Sequence, residues 1–384
     1  MSTISAESVA GGHGGHGGHG GHGGHGGHGG HEAQNETMAD DAPLLADALV
    51  TNRDGIVGHW QPLGILPTNL AEEHVDNMAL WSAERREQIL DFEIGSRLGF
   101  SAMPPGRAPR AMTIWHINKT VAPGAPTAVY QPLATLIRPS EAIFLGQLEL
   151  VNNYADLRAD RVSEILAQVD GAWAFLASIA FLQPERTRWT LELLDAVFRS
   201  VQCVEMRAKH ALACRRPLEY SPQVQPMIAT PAHGSFPSGH STESFALATV
   251  LMRLIAAGAN KVYASPLYRI QLMRQAARVA INRQVAGLHF PCDSAVGALL
   301  GLTLGNYLAN RFSGKTAYDA WEFDGVKYPS GQDFVWSDLY DPKLNQQLGT
   351  TPAYAFPLAP GGLALGERSA ILEWLWKKSV AEWA

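Results

Sequence analysis

Lys209-x6-Arg216-Pro217, Pro237-Ser238-Gly239-His240 and Arg283-x5-His289-x3-Asp293 are the three fragments on which the reading of this chain turns. Each lies where a helical pattern begins or stops. The stretch 184–212 reads as a helix with Leu191, Leu194, Val197, Val201 and Val204 on its apolar stripe; Lys209 falls near its end, and Pro217 closes the segment. Ser238 and Gly239 stand just before the apolar run Ser244 to Ile255, and helical patterns follow at 241–257, 267–285 and 291–312. No convincing run of alternating strand residues is found anywhere in the chain. The expected fold is therefore all-α, a helical bundle whose site lies between helix ends.

The residue types in these fragments share one chemistry. Arg216 and Arg283 are permanently charged forks that match two oxygens at once, and Lys209 adds a point charge. The backbone N–H groups of Ser238 and Gly239, with the Ser238 hydroxyl, would sit at the positive end of a helix, where anions bind. Gly239 lets the backbone come close to a ligand. Asp293, four residues after His289, is placed to hold one ring nitrogen and leave the other bare, as a nucleophile or a metal ligand. His240 remains as an acid–base group. Together they suit a compact tetrahedral oxyanion. By residue frequencies the first and third fragments would each arise by chance in roughly one such chain in twenty, and Pro-Ser-Gly-His in on the order of a few per thousand.

In this order the fragments resemble the type 2 phosphatidic acid phosphatase (PAP2) and vanadium-dependent haloperoxidase superfamily, over about residues 200–312. The resemblance implies an all-helical fold and a pocket shared by two chemistries. Carried over to this chain, Lys209, Arg216, Ser238, Gly239 and Arg283 would bind the oxyanion. His240 would be the acid–base residue, and Asp293 would orient His289. In the haloperoxidase reading His289 binds vanadium apically, vanadate is the cofactor, and hydrogen peroxide and halide are the substrates. In the phosphatase reading His289 attacks a small phosphomonoester and no cofactor is needed. Asn282 departs from the serine usual before the arginine.

Local residues split between the two. His233, five residues before Ser238, stands where bromoperoxidases of the family carry a histidine, whereas Gly234-Ser235-Phe236 is similar to secreted acid phosphatases. Met206, three residues before Lys209, matches neither the Trp nor the Arg of some haloperoxidases. The reading leans to a haloperoxidase, with bromide favoured over chloride, and keeps the acid phosphatase as its alternative. A non-catalytic oxyanion- or metal-binding protein would need lesions in the fragments, and none is seen.

Around this core the 384-residue chain is expected to carry a His-rich leader at 1–42, a helical region at 43–183, the catalytic core at 184–312 and an aromatic-rich extension at 313–384. Within the leader, residues 11–31 are seven Gly-Gly-His repeats, expected to be disordered and able to bind divalent metal. Helices are expected at about 78–94, 139–153, 160–182 and 367–383, and a Pro- and Gly-rich connection at 98–128. In 160–182 the stripe Val162, Ile165, Leu166, Val169, Trp173 and Leu176 is assigned to core packing. His116 is assigned a structural role. The aromatic extension is expected to pack on the bundle, the pocket mouth or a second copy of the chain. A net charge of −6 argues against nucleic acid as a partner. No signal segment and no membrane-spanning run are seen, so a soluble, cytoplasmic protein is expected. Cys203, Cys214 and Cys292 form neither a disulfide framework nor a zinc pattern.

Overall fold

The computed structural model describes residues 43–65, 70–104, 106–120, 125, 127–263, 265–342, 351–359 and 361–384. The leader 1–42 with its Gly-Gly-His repeat lies outside the described residues. The chain divides into two units. In the smaller, the described residues are those of 43–80 together with 183–186, including helix α1 (Pro43–Ile56) and a 3-10 turn at Val75–Leu80.

The larger unit comprises 81–182 and 187–384. Its elements in order are α2 (Ala83–Gly95), β1 (Leu98–Ala102), β2 (Ala111–Thr120), β3 (Thr127–Ile137), α3 (Glu141–Asn153), α4 (Arg158–Ala167) and α5 (Trp173–Ala180). Next come α6 (Pro184–Leu212, with non-helical angles at Thr187), α7 (Pro217–Tyr220), α8 (Gly239–Ala257), α9 (Pro266–Val285) and α10 (Pro291–Phe312). The chain closes with β4 (Ala317–Tyr318), β5 (Trp321–Asp324), β6 (Ala355–Pro357), β7 (Leu363–Ala364) and α11 (Ala370–Ala381).

The all-α expectation is overturned. The structure is about 57% helical but also holds a five-stranded mixed sheet, with 12% strand. The strand order is β1-β2-β3-β5-β6, antiparallel except for the parallel pair β3–β5. The stretch expected as a Pro- and Gly-rich connection at 98–128 is β1, β2 and the start of β3. In β2, Met112, Ile114 and His116 are buried, while Thr113, Trp115 and Ile117 are half-buried. A histidine at an inward position and large apolar residues at outward ones blur the two-residue alternation that marks a strand. The register also shifts between Ile114 and Trp115. His116 proves structural: its Nδ1 lies 2.9 Å from the Tyr307 hydroxyl and its Nε2 3.1 Å from the Leu365 carbonyl.

The aromatic extension supplies the other half of the sheet. Phe323 on β5 packs against Tyr354 with ring centres 5.5 Å apart, and Tyr354 meets Tyr328 at 4.7 Å. The terminal helix α11 buries Leu372 and Leu375, and Trp383 beyond it donates its indole N–H to Thr190 Oγ1 at 2.9 Å.

The single helix expected at 160–182 is two, α4 and α5, with Gly171 in the left-handed region at φ 121° between them. Ile165 and Leu176 are buried as expected, but Val162, Leu166 and Val169 are exposed at 41%, 55% and 44%. All three lie before the break, where the buried positions are Ile165 and Gln168 instead.

What positions the site is the pairing of α8 with α10. Gly297, Gly301 and Gly305 form a strip along α10 at four-residue spacing. A Cβ on Gly297 would lie 2.7 Å from the Ser238 carbonyl, and one on Gly305 2.8 Å from Thr249 Cβ. Only glycine allows this approach, and it sets the first turns of the two helices side by side. Ser238 N–H donates to the Asp293 carbonyl at 3.0 Å, and Ser241 Oγ to the Ser294 carbonyl at 2.8 Å. Among the described residues no helix is long and apolar enough to cross a membrane.

Candidate functional site

Four chain segments meet at the start of α8: the end of α6, the loop before α7, the end of α9 and the start of α10. Lys209, in the last turn of α6, is buried and points its Nζ at the Pro237 carbonyl, with the Gly234 carbonyl at 3.5 Å. Arg216 precedes α7, where Glu219 Oε2 accepts its backbone N–H at 2.7 Å. Its guanidinium spans the pocket. Nε donates to the His233 carbonyl at 3.1 Å, Nη2 lies 3.2 Å from His233 Nδ1, and Nη1 donates to the Leu288 carbonyl at 3.1 Å and to His289 Nε2 at 2.9 Å.

The tautomer of His289 follows from its two partners. A guanidinium can only donate, so Nε2 accepts and carries no proton. The proton is then on Nδ1, which donates to Asp293 Oδ2 at 3.1 Å. The same Oδ2 accepts the Phe290 N–H at 2.9 Å, so Asp293 caps α10 and orients the imidazole at once. Burial, then Arg216 and Lys209, hold the His289 pKa well below the ordinary value. Burial pushes the Asp293 carboxyl up to about 7, against the Phe290 N–H and Arg216, which pull it down.

Arg283, in the last turn of α9, donates from Nη2 to the Ile165 carbonyl at 2.9 Å and approaches Gln168 Oε1 at 3.4 Å. Burial lowers its pKa to about 10. His240, in the first turn of α8, places Nε2 2.8 Å from the Gln168 carbonyl. A carbonyl can only accept, so Nε2 carries the proton and Nδ1 is the bare nitrogen. Dense surroundings, then Arg283, bring its pKa down to about 4, so the ring is a neutral base at pH 7.

The predicted residues thus form two bonded groups. Lys209, Ser238, Asp293, His289, Arg216 and His233 are joined by direct hydrogen bonds or by adjacent backbone. Arg283 and His240 are joined through Gln168. The groups also share a field: His289 feels Arg216, Lys209, His240 and His233. Ser238 Oγ and Arg283 Nε are buried and have no hydrogen-bond partner among the described residues, so both are available to a ligand. Ile165, Val285, Ala286 and Leu288, which lie near Gln168, Arg283 and His289 in sequence, form a buried apolar cluster.

Three further residues escaped the sequence reading. Gln168 sits in the break between α4 and α5 and serves both Arg283 and His240; Asn282 Nδ2 also donates to its Oε1 at 2.9 Å. The signal for the break was Asp170-Gly171, a turn dipeptide masked by the apolar pattern on either side of it. Glu205 and Glu243 are buried carboxyls on α6 and α8. Their signal was present: Glu205 stands four residues before Lys209 and adjoins Val204 of the apolar stripe, and Glu243 stands within the run that opens α8.

Buried cations, helix-start N–H groups and an unprotonated imidazole nitrogen held by Arg216 thus stand together at the start of α8. Residues 189–316 match the model of the PAP2 superfamily. The chain is similar to a vanadium-dependent bromoperoxidase of Ascophyllum nodosum, 33% identical over 94 residues, which cover 20% of this chain and 17% of that protein. It is also similar to a decaprenylphosphoryl-5-phosphoribose phosphatase of Mycobacterium tuberculosis, 27% identical over 133 residues, covering 35% of this chain and 67% of that one. Among solved structures, a transmembrane PAP2-type phosphatidylglycerolphosphate phosphatase of Bacillus subtilis aligns over 46% of this chain and 88% of its own, at 20% identity and a TM-score of 0.36.

Proposed function

We propose that this protein is a vanadium-dependent haloperoxidase that oxidises halide, bromide before chloride, with hydrogen peroxide. The donor set, unpartnered Ser238 Oγ and Arg283 Nε with a His289 whose Nε2 is unprotonated, supports oxyanion binding, and His233 held against Arg216 supports the lean to halide. Those groups fit vanadate, which needs donors for its oxygens and one imidazole lone pair. Lys209, Arg216, Ser238, Gly239 and Arg283 would hold the oxygens, and His289 Nε2 the vanadium. Bound there, vanadate supplies Lewis-acid activation of hydrogen peroxide toward halide. The protein's own part is to bind, orient and move protons. Asp293 keeps the proton on His289 Nδ1 so that Nε2 stays available. His240 Nδ1, neutral at pH 7, takes the peroxide proton and returns it. His233, held against Arg216, supports the bromide preference by its similarity to bromoperoxidases.

A second reading uses the same atoms. The similarity to a phosphatase over two-thirds of its length supports a phosphomonoester hydrolase. His289 Nε2 would attack phosphorus, the cations would stabilise the equatorial oxygens, and His240 would serve the leaving group. One paired assay separates the two. Purified protein given orthovanadate, peroxide and bromide is expected to brominate a phenol reporter. Hydrolysis of p-nitrophenyl phosphate with inhibition by vanadate, and no bromination, would assign the phosphatase instead.

A further inference from the structure

Glu205 is a buried carboxyl on α6 that abuts the start of α8. It lies one helical turn before Lys209 on α6, on the same face. It is 5% exposed, and its Oε2 is buried with no hydrogen-bond partner. A Cβ on Gly239 would lie 2.6 Å from Glu205 Oε1 and 3.1 Å from Oε2, so the carboxyl abuts the residue whose N–H opens α8. Both near cations are turned elsewhere: Lys209 to the Pro237 and Gly234 carbonyls, Arg216 to His233, Leu288 and His289. Glu243, the other buried carboxyl facing it, accepts from Gln202 Nε2 at 3.1 Å.

A carboxylate placed so would repel the anion that the pocket is built to hold, and would be buried without a donor. A neutral carboxylic acid would instead offer an O–H. We infer that Glu205 is a protonated acid whose O–H donates to an oxygen of the bound tetrahedral oxyanion, a ligand in addition to the cations and helix-start N–H groups. Burial, then the Glu243 carboxyl, push its pKa well above the ordinary carboxylate range, while Lys209 and Arg216 pull it down. No bond is made or broken in this role. It favours a fully deprotonated oxyanion, which accepts from every donor around it.

The inference rests on the pocket's being an oxyanion site, and inorganic phosphate, measured by calorimetry on the full chain, is the probe for both. Glu205→Gln, which keeps a neutral donor, is expected to bind phosphate within about threefold of the unaltered protein. Glu205→Ala is expected to bind roughly ten- to a hundredfold more weakly, the worth of one hydrogen bond to a charged group. Infrared spectra of the unaltered protein, labelled with carbon-13 glutamate, are expected to show a protonated carboxylic acid at neutral pH that shifts when phosphate binds. That measurement requires no variant to fold. Tenfold or more tighter binding by Glu205→Gln, or no protonated glutamic acid in the unaltered protein, would overturn the inference and leave the oxyanion site standing. Failure of every form, including the unaltered protein, to bind phosphate would overturn the oxyanion reading and this inference with it.

Discussion

His116 and His289 are both buried histidines with lowered pKa, and they are built in opposite ways. Both ring nitrogens of each have partners, but those of His116 are a tyrosine hydroxyl and a carbonyl, with Tyr307 and Tyr318 packed edge to face, and those of His289 are Arg216 and Asp293. Around His289 polar atoms are left over. Ser238 Oγ, Arg283 Nε, Glu205 Oε2 and Gln168 Nε2 are buried without partners. Burial alone thus does not distinguish a working histidine from a structural one. What distinguishes them is the kind of partner: His116 is fixed by neutral groups within an aromatic cluster, whereas His289 is set between a guanidinium and a carboxylate at two helix starts.

The largest expected contrast is between substitutions at the two. His289→Ala should abolish turnover, by about a thousandfold or more, while leaving thermal stability close to that of the unaltered protein. His116→Leu should do the reverse. It strands the Tyr307 hydroxyl and the Leu365 carbonyl, at a cost of about 2–4 kcal/mol in denaturant unfolding, with activity per folded molecule retained. Loss of activity in folded His116→Leu would break the contrast.

Asp293→Asn should have the next largest effect. An amide cannot fix the His289 tautomer as a carboxylate does, so kcat should fall roughly tenfold to a thousandfold, while phosphate affinity changes only a few-fold. Its stability has a definite pH signature. The folded pKa of about 7 lies above the ordinary 3.8, so between those values the folded protein holds a proton that the unfolded chain has lost. The unaltered protein therefore loses stability as pH rises from about 4 to 7, and Asp293→Asn does not share that loss. The melting-temperature difference should move in favour of the variant over that window, and a movement the other way would contradict the assignment.

The smallest effect sharpens the role of His240. Its imidazole should titrate near pH 4 in the free protein by NMR and remain neutral above that. A bound oxyanion should raise the value, since negative charge favours imidazolium. An ordinary value near 6.5 in the free protein would remove the packed, neutral base from the account.

How much of this was legible in the chain depended on the kind of signal. The helices 184–212, 241–257, 267–285 and 291–312 were expected nearly as they stand, because their apolar residues recur at three and four positions and prolines mark their starts. Pro237-Ser238-Gly239-His240 was legible because its residue types at that spacing suit a helix-start anion site. The sheet was not legible: β2 hides its alternation behind inward His116 and outward Trp115, and β5 pairs in parallel with β3, some 180 residues away in sequence, a pairing no local pattern marks. Gln168 was hidden for a similar reason. It acts from a helix break at Asp170-Gly171, a turn signal masked by apolar spacing that reads as one continuous helix.

The central claim is that His289 Nε2 and the donors about it hold a tetrahedral oxyanion. The most direct test is a crystal structure of the full chain grown with orthovanadate. Vanadium is expected within bonding distance of His289 Nε2, with its oxygens on Arg216, Ser238, Gly239 and Arg283. Vanadate bound away from His289, or not bound at saturating concentration, would contradict it.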